Sequence, residues 1–124
     1  MSFSTSSLLI LVSFCFVFFS CKNGAYEETD LHGEWKVKDW EIKSTGQKRS
    51  NQMDFNFAAD GRYKVDYGRI KEVGNYWIAN SYLHTQEDDE LEKKVKILKL
   101  NQDTFHMQMN RGGSLENVLL VKEK

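Results

Sequence analysis

Apolar and polar positions alternate with a period of two along most of the chain after Leu31, and that period predicts strands. Trp35, Val37 and Asp39 share one phase, whereas Trp40 and Ile42 continue with the phase displaced by one. Such a displacement marks a bulge, which bends a strand. Met53, Phe55 and Phe57 alternate without fault, residues 58–62 read as a turn, and Tyr63, Val65 and Tyr67 alternate again, so residues 53–67 read as a hairpin. Gly68 and Arg69 interrupt the pattern. Residues 73–83 read as one strand with Tyr76, Ile78 and Tyr82 on one face, and residues 85–92 read as a charged loop. Residues 93–100 return as a strand with a phase change between Ile97 and Leu98. Residues 101–103 turn, Phe105, Met107 and Met109 alternate, residues 110–114 turn, and residues 118–121 form a last strand. A single helical turn fits residues 27–31. The prediction is therefore all-β: about eight strands in sequential hairpin order, forming a small up-and-down antiparallel β-barrel, because closure removes exposed strand edges. A sandwich is the other all-β architecture that such short strands allow.

The first twenty residues follow a different pattern. None is charged, and residues 8–19 form an almost unbroken apolar run. A bilayer-spanning helix needs roughly twenty residues, whereas the apolar core of a secretory signal runs about 7–15. The run ends in Ser20 and Cys21, which resembles a bacterial lipobox, where a small residue precedes a cysteine that receives diacylglycerol and an amide-linked acyl chain such as palmitate. Phe18 and the absence of Lys or Arg before residue 8 depart from that pattern. The expected organisation is a lipoprotein signal peptide (residues 1–20), a lipidated Cys21 with a polar tether (residues 21–30) and one domain (residues 31–124). A plain secreted protein cut near Ser20, or an uncleaved anchor, is the other reading. Lipidation implies attachment to a membrane of the cell envelope; the outer membrane, facing the periplasm, is the expected site, with the cell surface open as the other face.

Composition narrows the partners. About a hundred residues suit one domain with one core. The formal net charge is −1, which offers no basic field for nucleic acid, and none is expected as a partner. The chain has two cysteines, Cys15 inside the apolar run and Cys21 at its end, so the domain itself carries no disulfide. Proline is absent, which suits ladders that need every N–H.

Three segments together resemble a family. Gly33-Glu34-Trp35 matches the Gly-x-Trp that opens the first strand of lipocalins, and residues 55–63 with 74–78 resemble the second hairpin and fourth strand of lipocalin-like lipoproteins of Bacteroidota. Residues 98–105 resemble their penultimate hairpin, so the likeness spans about residues 31–122. It implies an eight-stranded barrel closed at one end by Trp35, with a basic side chain over that ring, which Lys122 or Arg111 would supply. The Thr-Asp-Tyr motif of lipocalins is absent, and so is the helix after their last strand.

No catalytic constellation stands out, so an enzyme is not expected, nor a cofactor. His32, His84 and His106 lie far apart without metal-ligand spacing. Glu87, Asp88, Asp89 and Glu90 lack the spaced ligands of a calcium loop and read as a solvated tip. The alternating stripe of Phe55, Phe57, Tyr63, Val65, Tyr67, Tyr76, Ile78, Tyr82, Phe105, Met107 and Met109 has two readings: a filled core, or the lining of a pocket for a small apolar or amphipathic ligand. The leading expectation is a membrane-tethered, non-enzymatic ligand-binding barrel. Its rival is an envelope protein-interaction module, its surface marked by Trp40 and Trp77, which fall out of phase with the stripe.

Overall fold

In a computed structural model, which describes residues 26–124, the alternating segments become strands of one closed sheet. The expected signal peptide, Cys21 and the start of the tether lie outside the described residues. A helical turn, α1 (Glu28–Leu31), precedes β1 (Gly33–Ile42), β2 (Asp54–Phe57), β3 (Arg62–Asp66) and β4 (Lys71–Ala79). These lead into β5 (Tyr82–Glu87), β6 (Glu92–Leu100), β7 (Thr104–Arg111) and β8 (Ser114–Lys122). Each strand pairs antiparallel with the next, and β8 returns to β1, so the order is β1 to β8 around an eight-stranded antiparallel barrel. An all-β, up-and-down barrel is what the sequence pattern predicts, and closure pairs both edges that an open sheet would expose.

Two bulges set which side chains point inward. Along β1 the register passes from Val37 opposite Leu120 to Asp39 opposite Leu119, leaving Lys38 as the extra residue. The bulge resets the phase, so Trp35 and Val37 face inward before it and Trp40 after it. Trp40 is therefore buried, at 5% exposure, and not on the surface where its phase in the sequence had placed it. In β6 the register skips Leu98, which keeps both Ile97 and Leu100 in the core.

The segment expected as one strand over residues 73–83 is two strands. Asn80 and Ser81 form a two-residue turn between β4 and β5, both with positive φ (52° and 66°). That is the type I′ pattern, whose twist matches the flanking strands. The turn corrects Tyr82: its side chain faces outward beneath Lys94, whose Nζ lies 4.6 Å from the ring centroid, while Leu83 points into the barrel. The charged loop shrinks to residues 88–91, because β5 runs to Glu87 and β6 starts at Glu92.

Aromatic rings fill the middle of the barrel. Phe57 stacks on Phe55 at 5.0 Å and meets the edge of Tyr76 at 4.9 Å. The turns after β2, β4 and β6, with α1 and the end of β8, gather at one end. The loops after β1, β3, β5 and β7 gather at the other.

Candidate functional site

The first of these ends is closed. Trp35 is fully buried, donates its indole N–H to the Leu31 carbonyl at 2.8 Å and meets Phe105 edge-on at 5.9 Å. The Lys122 ammonium lies 5.0 Å from the centroid of the Trp35 ring and donates to the Asp30 carbonyl at 3.2 Å. Gly33 has φ of +126°, which side chains rarely adopt, and a Cβ there would stand 3.4 Å from Cε of the Lys122 stem. Glu28 accepts from the Ile78 backbone N–H at 3.0 Å, so α1 is tied across the barrel floor. Tyr76 donates its hydroxyl to the Ala58 carbonyl at 2.7 Å; burial, and after it the nearby charges of Glu28 and Asp60, push this phenol up to about 12.

The opposite end holds a cavity of about 110 Å³ inside the barrel. Met53, Phe55, Val65, Leu83, Val95 and Met107 give it apolar walls. One polar cluster faces it. Glu72 on β4 is 7% exposed and accepts hydroxyl hydrogen bonds from Tyr63 and, at 3.1 Å, from Tyr67. The Lys93 ammonium lies 3.4 Å from the same carboxylate, at the mouth. Burial pushes the Tyr63 and Tyr67 phenols well above the usual range, and the Glu72 carboxylate adds to the effect on both. Both therefore stay protonated at neutral pH and act as donors to Glu72. Buried polar groups carry a cost unless paired, and this cluster pairs them all.

A second buried carboxylate braces the rim. Glu116, 2% exposed, accepts from the Trp40 indole N–H at 2.7 Å and from Arg49 at 3.1 and 3.3 Å, with Arg111 3.7 Å away. Burial alone would raise its carboxyl; Trp40 and Arg49 with Arg111 outweigh it and hold the group below the usual carboxylate range. Through Arg49 the loop between β1 and β2 is drawn over the rim, and it carries Met53 into the cavity wall.

The model of the lipocalin-like domain family matches residues 31–107 of this chain, which is more than half of it. The chain belongs to that family. Its fold is similar to a solved lipocalin-like protein from Bacteroides uniformis ATCC 8492, with 15% identity and a TM-score of 0.59 over 76% of this chain and 99% of that one. It is similar also to an uncharacterized protein from Bacteroides eggerthii DSM 20697, at 10% identity and a TM-score of 0.57 over 74% and 98% of the two chains. At these identities the likeness is one of fold. No curated protein matches the chain.

Within this lipocalin-like barrel the residues singled out in the sequence divide between the two ends. Gly33, Trp35 and Lys122 meet at the closed end, with Lys122 over the tryptophan and Arg111 at the far rim beside Glu116. Phe55, Tyr63, Tyr67 and Met107 line the cavity, with Tyr67 39% exposed at its mouth. Phe57, Tyr76 and Phe105 are packed core beneath it, Ile78 is partly buried against that core, and Tyr82 lies outside. Trp77 is half-buried on the outer face, stacked on His84 at 5.4 Å, and His84 Nδ1 lies 2.5 Å from Glu92. Among the described residues no group of three or more His, Cys, Asp or Glu is placed to hold a metal ion.

Glu72 and Glu116 escaped the sequence reading although the pattern carried their signal. Glu72 is in phase with Tyr76, and Glu116 with Val118 and Leu120, so each is a charged residue at an inward position of a strand. The sequence pattern puts Thr85 in the charged loop and Lys93 at the start of a strand, yet both line the cavity. Other depressions on the molecule are wide and solvent-facing. One of about 220 Å³ is bordered by Lys36, Asp54, Lys64 and Asp66, and its Lys36 is spent on Asp54 at 3.4 Å.

Proposed function

We propose that this protein is a membrane-anchored, non-enzymatic lipocalin-like lipoprotein that holds a small apolar or amphipathic molecule in the open end of its barrel. The observation that supports this reading most is the cavity of about 110 Å³ with apolar walls and one paired polar cluster. An apolar cavity of roughly 150 Å³ accommodates benzene, so this smaller one suits a short alkyl segment whose polar end reaches the mouth. Burying that segment contributes roughly 25 cal/mol per Å².

Anchoring rests on the sequence: the apolar run, Ser20 and Cys21. Cys21 precedes Tyr26 by five backbone steps, which reach at most about 18 Å. Tyr26 donates its hydroxyl to the Leu98 carbonyl and leads into α1 at the closed end. A lipid on Cys21 therefore holds the closed end nearer the bilayer and turns the mouth away from it. The rival reading as a protein-interaction module loses one of its two marker residues, because Trp40 is core.

The test is a titration of the protein, carbon-13 labelled at its methionine methyls, with 1-hexanol as a neutral probe. Saturable shifts of the Met107 and Met109 signals are expected. Signals that do not move up to the solubility limit would contradict a ligand cavity.

A further inference from the structure

The cavity's polar atoms differ in one respect that bears on its ligand. The Glu72 carboxylate only accepts hydrogen bonds, and its side chain is 8% exposed. The two phenols beside it have already spent their hydrogens on that carboxylate. The Thr85 hydroxyl, also in the wall, can both donate and accept. Apart from that hydroxyl, what the wall offers an incoming molecule is acceptors.

One donor stands at the mouth, the Lys93 ammonium. Its side chain is 57% exposed and its nitrogen lies 3.4 Å from Glu72, a long contact that solvent screens. Arg111, the other nearby cation, is directed at Glu116. Glu87 adds a second negative charge near Tyr67. A carboxylate ligand would meet Lys93 alone and lie against the Glu72 charge. An ammonium ligand would displace Lys93 into water, at little cost, and take up its place on a carboxylate that Tyr63 and Tyr67 already orient.

We infer that the cavity selects a small organic amine, its alkyl end among Met53, Leu83 and Met107 and its N–H groups on Glu72. The inference rests on the cavity being a ligand site, and deepens that reading by naming the headgroup.

Hexylamine, 1-hexanol and hexanoate share one chain and differ in charge at neutral pH, which makes them the probes. Titrated into the methionine-labelled protein, hexylamine is expected to bind roughly tenfold or more tightly than hexanoate, the worth of one charge-assisted hydrogen bond. Glu72→Gln is expected to erase that preference while 1-hexanol still binds. Lys93→Ala, an exposed change that leaves the core intact, is expected to strengthen hexylamine binding by removing its competitor, and it carries the test if Glu72→Gln fails to fold. Hexanoate binding as tightly as hexylamine, or Lys93→Ala weakening the amine, would overturn the headgroup assignment while the cavity reading stands. If none of the three probes moves the methionine signals, the cavity reading fails and the inference with it.

Discussion

Trp40 and Glu116 join β1 to β8 at the open end through an indole N–H donated to a buried carboxylate at 2.7 Å. The pair fixes where the loop after β1 lies, because the same carboxylate holds Arg49 of that loop. Replacing Glu116 with Ala leaves the Trp40 indole without its acceptor in a buried position. The expected loss is about 1–3 kcal/mol of stability, read by urea unfolding. A change within about 0.5 kcal/mol, the scatter of a surface substitution, would show that the rim does not depend on this carboxylate.

The same group sets an acid dependence. Glu116 ionises below its ordinary value of 4.5 in the folded protein, so its contribution is fully present above that value. It is lost as pH falls from there through the depressed folded value. The melting temperature of the native protein should thus exceed that of Glu116→Gln at neutral pH, and the gap should narrow as pH drops below 4.5. A gap that stays constant into strong acid would place the stabilisation elsewhere.

Tyr63 and Tyr67 shift the other way. Their folded values lie above the ordinary 10.0, so the stability they contribute is present below that pH and is lost as pH rises through the raised values. At about pH 11 an ordinary phenol is ionised, whereas Tyr63 is expected to remain protonated. Phenolate absorbance of the folded protein at that pH should be the same in Tyr63→Phe as in the native chain. A loss of one phenolate equivalent would mean that Tyr63 ionises normally and that Glu72 is not its acceptor.

Gly74 tests how closely β4 and β5 approach. A Cβ at this position would stand 2.0 Å from the Gln86 backbone carbonyl, too close for any side chain to relieve. Gly74→Ala must part the two strands, at about 1–3 kcal/mol, read by thermal unfolding. Gly61→Ala, with open space around its Cβ but a φ of +89°, provides a comparison in which backbone strain acts alone. Equal losses in both would argue against the close approach.

Most strands were legible in the sequence, because an amphipathic strand records its inner face as a period of two, whereas the closed end was legible only through the family resemblance that Gly33 and Trp35 carry. The Lys38 bulge showed itself as a broken phase, yet its consequence for Trp40 did not: a displaced phase alone does not say whether the later residues turn out or are turned back in. The register with β8 decides it. The turn at Asn80 and Ser81 left a weaker trace, since Ser81 takes positive φ without being glycine. With that turn unread, the period ran on into β5 and set Tyr82 on the wrong face. The cavity cluster was harder still. Glu72, Tyr63 and Tyr67 come from β3, the loop after it and β4, whereas Lys93 comes from β6 and reaches Glu72 across β5 on the inner face of the curved sheet.

The most direct test of the central claim is native mass spectrometry on the protein purified from the cells that make it, before and after extraction with organic solvent. A small-molecule adduct that is retained by the folded protein, lost on extraction and displaced by hexylamine is the expected result. A bare monomer that also takes up none of the added hexylamine, 1-hexanol or hexanoate would contradict a ligand-holding barrel.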